Sequence, residues 1–274
     1  MYPETRILEY HGYNIKFRNW LMQLAKHLAQ GRLVYLSQQQ EAITVSENDS
    51  YRWMAFSDVV QSVMHQRNPW QLTLPHQIAL LLPLLFSKPA RIIELGLGGG
   101  NLTRFLQHLS PEIMLTTVEH SQEVIKSFTQ YFNPERVNLD IICADGMTWL
   151  AQQNSSDIDW IICDVYQSQE FGFDCIVNQL EVLTSKLDSQ ACLSINLPDI
   201  SDSDINLCLT ILQQLQPNHH ITYFNIPNYL NIVIHLTPKH WQLHRLIKRN
   251  KQSYLTPITI QRWRRFWPHG LQLN

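Results

Sequence analysis

The stretch IIELGLGGGNLTRFL, residues 92–106, decides the fold. Its apolar, β-branched start predicts a strand, a glycine-rich turn follows, and the pattern from Asn101 onward predicts a helix. Glycine permits a sharp turn and lets a ligand lie against bare backbone, while the start of the helix supplies free N–H groups and partial positive charge. A turn of this kind can also serve close packing alone, and both interpretations are open at this point.

Strands and helices alternate along the chain beyond this turn. Apolar, β-branched runs recur and are separated by segments of helical periodicity; the runs are 91–95, 114–119, 138–144, 159–165 and 191–197. This alternation predicts an α/β fold with a mainly parallel sheet covered on both faces. Two later runs, 220–226 and 231–236, flank turn residues and predict an antiparallel hairpin that closes the sheet.

Acidic residues follow successive strands of the predicted sheet. Glu119 ends the run 114–119, Asp145 follows the next run, and Asp164 ends the one after it. Because parallel strands end at one sheet edge, we expect these acids near the glycine turn. A carboxylate roughly twenty residues past the glycines can accept both hydroxyls of a ribose, and Asp145 is placed to accept from a purine amine. Each acid alone could be a helix cap, but together with the turn they favour nucleoside binding.

Composition and periodicity divide the chain into four segments. Residues 1–31 predict a helical segment that Gly31 ends, and residues 32–70 predict a small antiparallel β-domain. Residues 71–238 are the predicted nucleoside-binding domain. The tail, residues 239–274, is basic and rich in tryptophan and predicts helix. It either packs through its tryptophans or contacts nucleic acid or a membrane surface, and the first interpretation is the one we adopt.

The composition indicates a folded protein. Apolar residues make up 45% and charged residues 16%, and a net charge of −2 gives no electrostatic case for nucleic-acid binding over the whole chain. Apolar stretches are shorter than a membrane span, the segment MYPETRILEY lacks a signal-peptide core, and the cysteines lack metal-site spacing. We therefore expect a cytoplasmic protein without a membrane partner.

With these residues placed, residues 33–236 resemble the spermidine synthase family of polyamine aminopropyltransferases. The glycine turn followed by LTR is similar to the family's GGGDGG-x-x-R turn, and CADGMTWL is similar to its D-[AG]-x-x-[FW]-L element. WIICDVYQSQEF takes the place of its I-x-x-D-S-S-D-P loop, and IPNYLNIVIHL resembles its closing hairpin. The resemblance implies a Rossmann-like sheet of the class I methyltransferase type behind a small N-terminal β-domain.

The resemblance also implies roles for individual residues. The donor would be decarboxylated S-adenosylmethionine, or S-adenosylmethionine itself, bound as a co-substrate. The implied donor contacts are Gln40, Gly96, Gly98, Gly100, Glu119, Asp145 and Gly146. Asp164 would be the base that orients the acceptor amine, and Tyr166 and Tyr229 would line the acceptor pocket. The family's β-domain commonly contributes to dimers, so a homodimer is expected.

The chain departs from the family at the residues that hold the amine. The aspartate of the family's glycine turn is replaced by Gly99, and the second aspartate of its loop is replaced by Gln167. The family's Tyr-Gln pair before the core aligns with Pro75 and His76. Since a charge-assisted contact contributes about 1.5–3 kcal/mol, loss of two carboxylates would weaken diamine binding by roughly two to four orders of magnitude.

Three functions therefore stay open at this stage. The first is transfer of an aminopropyl group from decarboxylated S-adenosylmethionine to a small amine. The second is methyl transfer from S-adenosylmethionine, since Gly99 removes the charge that would repel the donor's carboxylate. The third is nucleoside binding without turnover. A metal site is not expected, because the histidines His240 and His244 have helical spacing but no acidic partner.

Overall fold

The computed structural model describes residues 26–37, 42–57, 59–165, 173–198, 200–227, 229–243 and 253–273. Within these residues the strands form two sheets, one of four strands and one of eight. Residues 26–29 are helical, which agrees with the end of the predicted N-terminal helix; the rest of that helix lies outside the described residues. No helix in the described part is long and apolar enough to cross a membrane.

The smaller sheet is the predicted antiparallel β-domain. Its strands follow chain order: β1 (Arg32–Ser37), β2 (Ile43–Glu47), β3 (Tyr51–Phe56) and β4 (Val59–His65). Met54 pairs with Ser62 and Ala55 pairs with Val60, so Gln61 is an extra residue on β4. Such a β-bulge re-aims the side chains beside it, and three successive residues of β4 from Ser62 onward are buried.

The larger sheet has the order β12-β10-β11-β9-β8-β5-β6-β7 in our numbering. Its strands are β5 (Arg91–Leu95), β6 (Met114–Glu119), β7 (Asp140–Cys143), β8 (Trp160–Cys163), β9 (Cys192–Pro198), β10 (His219–Asn225), β11 (Asn231–Pro238) and β12 (Leu271–Leu273). Strands β5 to β9 pair in parallel, and β11 pairs antiparallel with both β9 and β10. The predicted parallel sheet and its closing hairpin are confirmed.

Helices cover both faces of this sheet. They are α1 (Pro75–Leu80), α2 (Asn101–Leu109), α3 (Gln122–Ser127), α4 (Gly146–Ala151), α5 (Phe173–Ser185), α6 (Asp202–Leu215) and α7 (Pro257–Trp263). Two apolar clusters result, one mainly around α5 and α6 and the other around α1, α2 and the tail. The strands are apolar on both sides because each side faces one of these clusters.

The tail contributes to the core of the larger sheet. Part of the tail forms helix α7, as the sequence predicts, and Trp263 at the end of this helix is only 3% exposed. The last described residues then form β12, which pairs with β10 and which the sequence pattern did not predict. The described tryptophans of the tail pack against the apolar cluster of α1 and α2, so packing accounts for their presence.

The sheet has its topological switch point beside β5. The chain runs from β5 to β6 on one side, and β8 lies on the other side. In open α/β sheets a crevice forms at such a point, outside the carboxyl ends of the strands. The glycine turn leaves β5 at this end, so the fold directs the turn into the crevice.

Candidate nucleoside-binding site

A cleft of about 700 Å³ lies at the switch point. Its walls come from the carboxyl ends of β5, β6 and β8 and from β4 of the smaller sheet. Most of the predicted site residues line it: Gly96, Gly98, Glu119, Asp145, Gly146, Asp164 and Tyr229. Gly100 is not among the lining residues, and Gln40 and Tyr166 lie outside the described residues.

Glycine is required in the turn for two different reasons. Gly96, Gly98 and Gly100 all have positive φ, at 91°, 50° and 65°. A Cβ on Gly100 would lie 2.2 Å from the ring of Phe128, so packing alone requires glycine at this position. A Cβ on Gly96 would lie 2.3 Å from the carbonyl oxygen of Asp164, so only glycine allows the turn and the segment after β8 to pack in direct contact.

Replacing Gly96 by alanine should therefore destabilise the fold and distort the cleft. The new methyl group meets rigid backbone and the residue must adopt a positive φ, so we expect a loss of about 2–4 kcal/mol in the free energy of unfolding. Chemical denaturation of wild type and variant measures this loss. Gly146→Ala is the matched control, because a Cβ there makes ordinary contact with Leu95 at 3.6 Å. Equal stability of Gly96→Ala and wild type would contradict the role assigned to Gly96.

Glu119 presents a fixed carboxylate at the end of β6. Its Oε2 accepts a hydrogen bond from the backbone N–H of Leu97 at 3.0 Å, and its Oε1 accepts one from Ser121 at 2.9 Å. Burial alone would raise the pKa of Glu119, but these bonds and the contact with His120 at 3.0 Å hold it below the usual value. The carboxylate is therefore ionised and oriented, and its remaining lone pairs are available for hydroxyl groups.

Asp145 caps helix α4 and also borders the cleft. Its Oδ1 accepts a hydrogen bond from the Thr148 backbone N–H at 2.8 Å. The side chain and backbone of Thr148 lower the pKa of Asp145 below its usual value. The capping role and a ligand contact are compatible, because the second carboxylate oxygen is free of this bond.

Asp164 is held by a chain of amides. Its Oδ1 accepts a hydrogen bond from Asn196 Nδ2 at 2.7 Å, and Asn196 Oδ1 accepts one from Asn231 Nδ2 at 3.0 Å. Its Oδ2 lies 3.9 Å from Nε2 of His76. Burial lowers the pKa of His76, which the charge of Asp164 only partly opposes. The result is a carboxylate fixed from one side, with a neutral imidazole on the other.

Glu94 is a cleft residue that sequence reasoning missed. It lies on β5, is 1% exposed, and its Oε2 accepts hydrogen bonds from Thr103 at 2.6 Å and Thr117 at 3.0 Å. Burial raises the pKa of Glu94 to about 7, although both hydroxyls act against this rise. The signal was present in the sequence: a carboxylate inside the apolar run IIEL is costly unless it has partners or a function.

Glu94→Gln should stabilise the protein at alkaline pH. A carboxyl group with a raised folded-state pKa holds its proton longer than in the unfolded chain, so stability falls as pH rises from about 4.5 to about 7. The loss is on the order of 3 kcal/mol above that window, and glutamine avoids it. We expect the melting temperature of the variant to exceed that of wild type at pH 8 and to match it near pH 4.5. A variant with a lower melting temperature at pH 8 would contradict the burial cost.

Tyr229 also lines the cleft, from the hairpin between β10 and β11. It is half-buried, and burial raises the pKa of its hydroxyl. The aromatic face can stabilise a cation in this position.

Among the described residues no group of His, Cys, Asp and Glu is arranged to hold a metal ion.

The chain is similar in sequence to known aminopropyltransferases. It is 29% identical over 143 residues to a polyamine aminopropyltransferase of Neisseria meningitidis, covering 50% of this chain and 53% of the relative. It is 28% identical over 145 residues to that of Chromobacterium violaceum, covering 48% and 56%. The chain thus spans about half the length of the curated relatives it matches. No protein-family model matches it.

Solved structures show the same fold over more of the chain. The spermidine synthase of Thermotoga maritima has a TM-score of 0.59 at 16% identity, covering 85% of this chain and 87% of that one. A spermidine synthase in complex with the transition state analogue AdoDATO has a TM-score of 0.58 at 16% identity, covering 85% and 88%. Human methyltransferase-like protein 13 in complex with SAH has a TM-score of 0.52 at 21% identity, covering 71% and 93%. This chain therefore resembles the polyamine aminopropyltransferases in sequence, as a divergent relative, and has the fold of spermidine synthases and methyltransferases.

Proposed function

We propose that this chain is a spermidine synthase-like transferase. It binds a nucleoside of the S-adenosylmethionine type and transfers an alkyl group from the donor's sulfonium to a small amine. The observation that carries the proposal is Glu119, whose carboxylate is ionised, oriented by two backbone N–H groups, and exposed to the same cleft as Asp164. A carboxylate so fixed matches the paired hydroxyls of a ribose.

The other residues of the cleft extend this contact to the whole donor. Asp145 follows β7, the strand next to that of Glu119, and would accept from the amine of an adenine. The turn at Gly96 and Gly98 leaves space for the chain attached to the sulfonium. Glu94 supplies a buried carboxylate for the donor's ammonium, and a cation bound there would keep Glu94 ionised.

Asp164 acts on the acceptor. The amine must lose a proton to attack carbon, and a carboxylate within hydrogen-bond reach can take or orient that proton. The new N–C bond forms as the C–S bond breaks, the electron pair of that bond stays on sulfur, and the amine proton passes to Asp164. Asn196 and Asn231 keep the carboxylate in one orientation. His76 adds no charge, because burial lowers the pKa of its imidazole.

Decarboxylated S-adenosylmethionine is the first candidate donor. The relatives with the matching sequence are named polyamine aminopropyltransferases, and a structural neighbour binds AdoDATO. With this donor the chain would transfer an aminopropyl group and release methylthioadenosine. Cytoplasmic location and a homodimer stay predictions that accompany this function.

S-adenosylmethionine is the second candidate donor, and a specific observation favours it. Gly99 stands where an acid would repel the donor's carboxylate, and a structural neighbour with the methyltransferase fold binds SAH. With this donor the chain would transfer a methyl group and release S-adenosylhomocysteine.

An assay of the nucleoside by-product tests the transferase proposal. The purified chain is incubated with each donor and a panel of mono- and diamines, and the nucleosides are separated by chromatography. We expect amine-dependent release of methylthioadenosine or S-adenosylhomocysteine, which identifies the bond that breaks. Binding of both donors without any amine-dependent release would instead support a nucleoside-binding protein without turnover.

A further inference from the structure

The side of the cleft that faces the glycine turn is closed by Ser62. The backbone N–H of Gly99 donates a hydrogen bond to Ser62 Oγ at 2.7 Å. A Cβ on Gly99 would lie 2.6 Å from the Cβ of Ser62 and 3.3 Å from the ring of Phe132. An acidic side chain at position 99 is therefore excluded unless Ser62 moves, so the loss of the acid there is built into the packing.

The hydroxyl of Ser62 has a proton left to donate. A serine hydroxyl offers one donor and two acceptor positions, and the bond from Gly99 uses one acceptor position. Within the described part of the chain, this hydroxyl has no acceptor of its own. The preceding residue, Gln61, lines the same cleft at the β-bulge, and its Nε2 is buried without a partner among the described residues. Two donors without acceptors thus lie side by side on β4.

Positive charge is found next to the glycine turn. Helix α2 begins directly after the turn and has no acidic residue in its first turn and no side-chain cap, so the partial positive charge of its start is not neutralised locally. The guanidinium of Arg104 is buried beneath the turn and donates to the carbonyl oxygens of Gly99 and Pro69. Burial lowers the pKa of Arg104 only to about 9, so it stays charged at neutral pH.

Carboxyl groups also line the cleft. Glu94 lies on β5, and Asp164 directly follows the adjacent parallel strand β8. The cleft therefore offers unused hydrogen-bond donors at Gln61 and Ser62 and carboxyl groups at Glu94 and Asp164. Such an arrangement fits a ligand that carries both a carboxylate and an ammonium.

We infer that the donor retains its α-carboxylate, that Ser62 receives this carboxylate, and that Glu94 receives the α-ammonium. The inference rests on the proposed function and selects S-adenosylmethionine over its decarboxylated form. Ser62 is then a specificity-determining residue. Its side chain fills the space that an acidic side chain at position 99 would need, and it offers a hydrogen-bond donor that attracts a carboxylate instead of a charge that attracts an ammonium.

Calorimetric titration with three nucleosides tests this inference. The probes are S-adenosylmethionine, its decarboxylated form and methylthioadenosine, which lacks the charged chain end. We expect wild type to bind S-adenosylmethionine about tenfold more tightly than the decarboxylated form. Ser62→Ala should lower the affinity for S-adenosylmethionine by about tenfold or more, since a hydrogen bond to a charged group is lost. The affinities for the other two probes should not change. Ser62→Asp should reverse the preference.

The control variant is Ser127→Ala, which removes a buried serine hydroxyl outside the cleft and should change none of the three affinities. A wild type that prefers the decarboxylated donor, or a Ser62→Ala variant that weakens all three probes equally, would overturn the inference. Methylthioadenosine separates this failure from that of the proposed function. If it binds wild type, the nucleoside site stands whatever the outcome at Ser62; if it does not bind, both proposals fail.

Discussion

Glu119→Ala is expected to reduce the affinity for methylthioadenosine by about 100-fold or more. The carboxylate would bind two ribose hydroxyls, and each hydrogen bond to a charged group contributes about 1.5–3 kcal/mol. Methylthioadenosine is the appropriate probe because it carries the ribose and the adenine but no charged chain end. Calorimetric titration of the variant and wild type measures the loss.

The matched control for this prediction is Glu112→Ala. Glu112 is exposed and lies outside the cleft, so its removal should leave the affinity unchanged. Because Glu119 also accepts bonds from Leu97 and Ser121, thermal unfolding of the variant must show that it is folded at the temperature of the titration. A folded Glu119→Ala variant with wild-type affinity would remove Glu119 from the nucleoside site.

Asp164→Asn is expected to reduce turnover by about 10²–10⁴-fold, the usual contribution of a positioned acid or base. Donor affinity should change little, because Asp164 acts on the acceptor amine. The variant keeps the size of the side chain and a carbonyl oxygen that can accept from Asn196. Single-turnover release of the nucleoside by-product, with the amine that gives release in wild type, measures the effect.

Asp157→Asn is the control for Asp164, since Asp157 is exposed and its carboxylate is only loosely paired with Arg91 at 3.6 Å. We expect this variant to have wild-type turnover. If both variants retained full turnover, a group other than Asp164 would have to take the amine proton. His76 would then be the first residue to test by substitution.

The sequence predicted the parts of the site that follow from strand order. Glu119, Asp145 and Asp164 each follow an apolar run, and parallel strands end at one edge, so their convergence follows from the pattern alone. The turn glycines were identified as a group, yet only the structure separates Gly96, which borders the cleft, from Gly100, which makes room for Phe128. Residues three or four apart in one turn look alike in sequence but face different neighbours.

The sequence did not predict contacts between distant segments. Ser62 meets Gly99 across 37 residues and from a different sheet, and a β-bulge at Gln61 sets which side chains of β4 face the cleft. No periodicity encodes such a bulge, because one extra residue shifts every later side chain to the other face. Strand β12 was missed for a related reason: three residues carry too little pattern to distinguish a strand from the end of a helical tail.

The most direct test of the proposed nucleoside site is a calorimetric titration of the unmodified chain with S-adenosylmethionine. We expect saturable binding to one site per chain. The heat should disappear in the Glu119→Ala variant and persist in Glu112→Ala. Absence of binding at millimolar concentrations of S-adenosylmethionine, of its decarboxylated form and of methylthioadenosine would contradict it, because the fixed carboxylate of Glu119 would then have no nucleoside to hold.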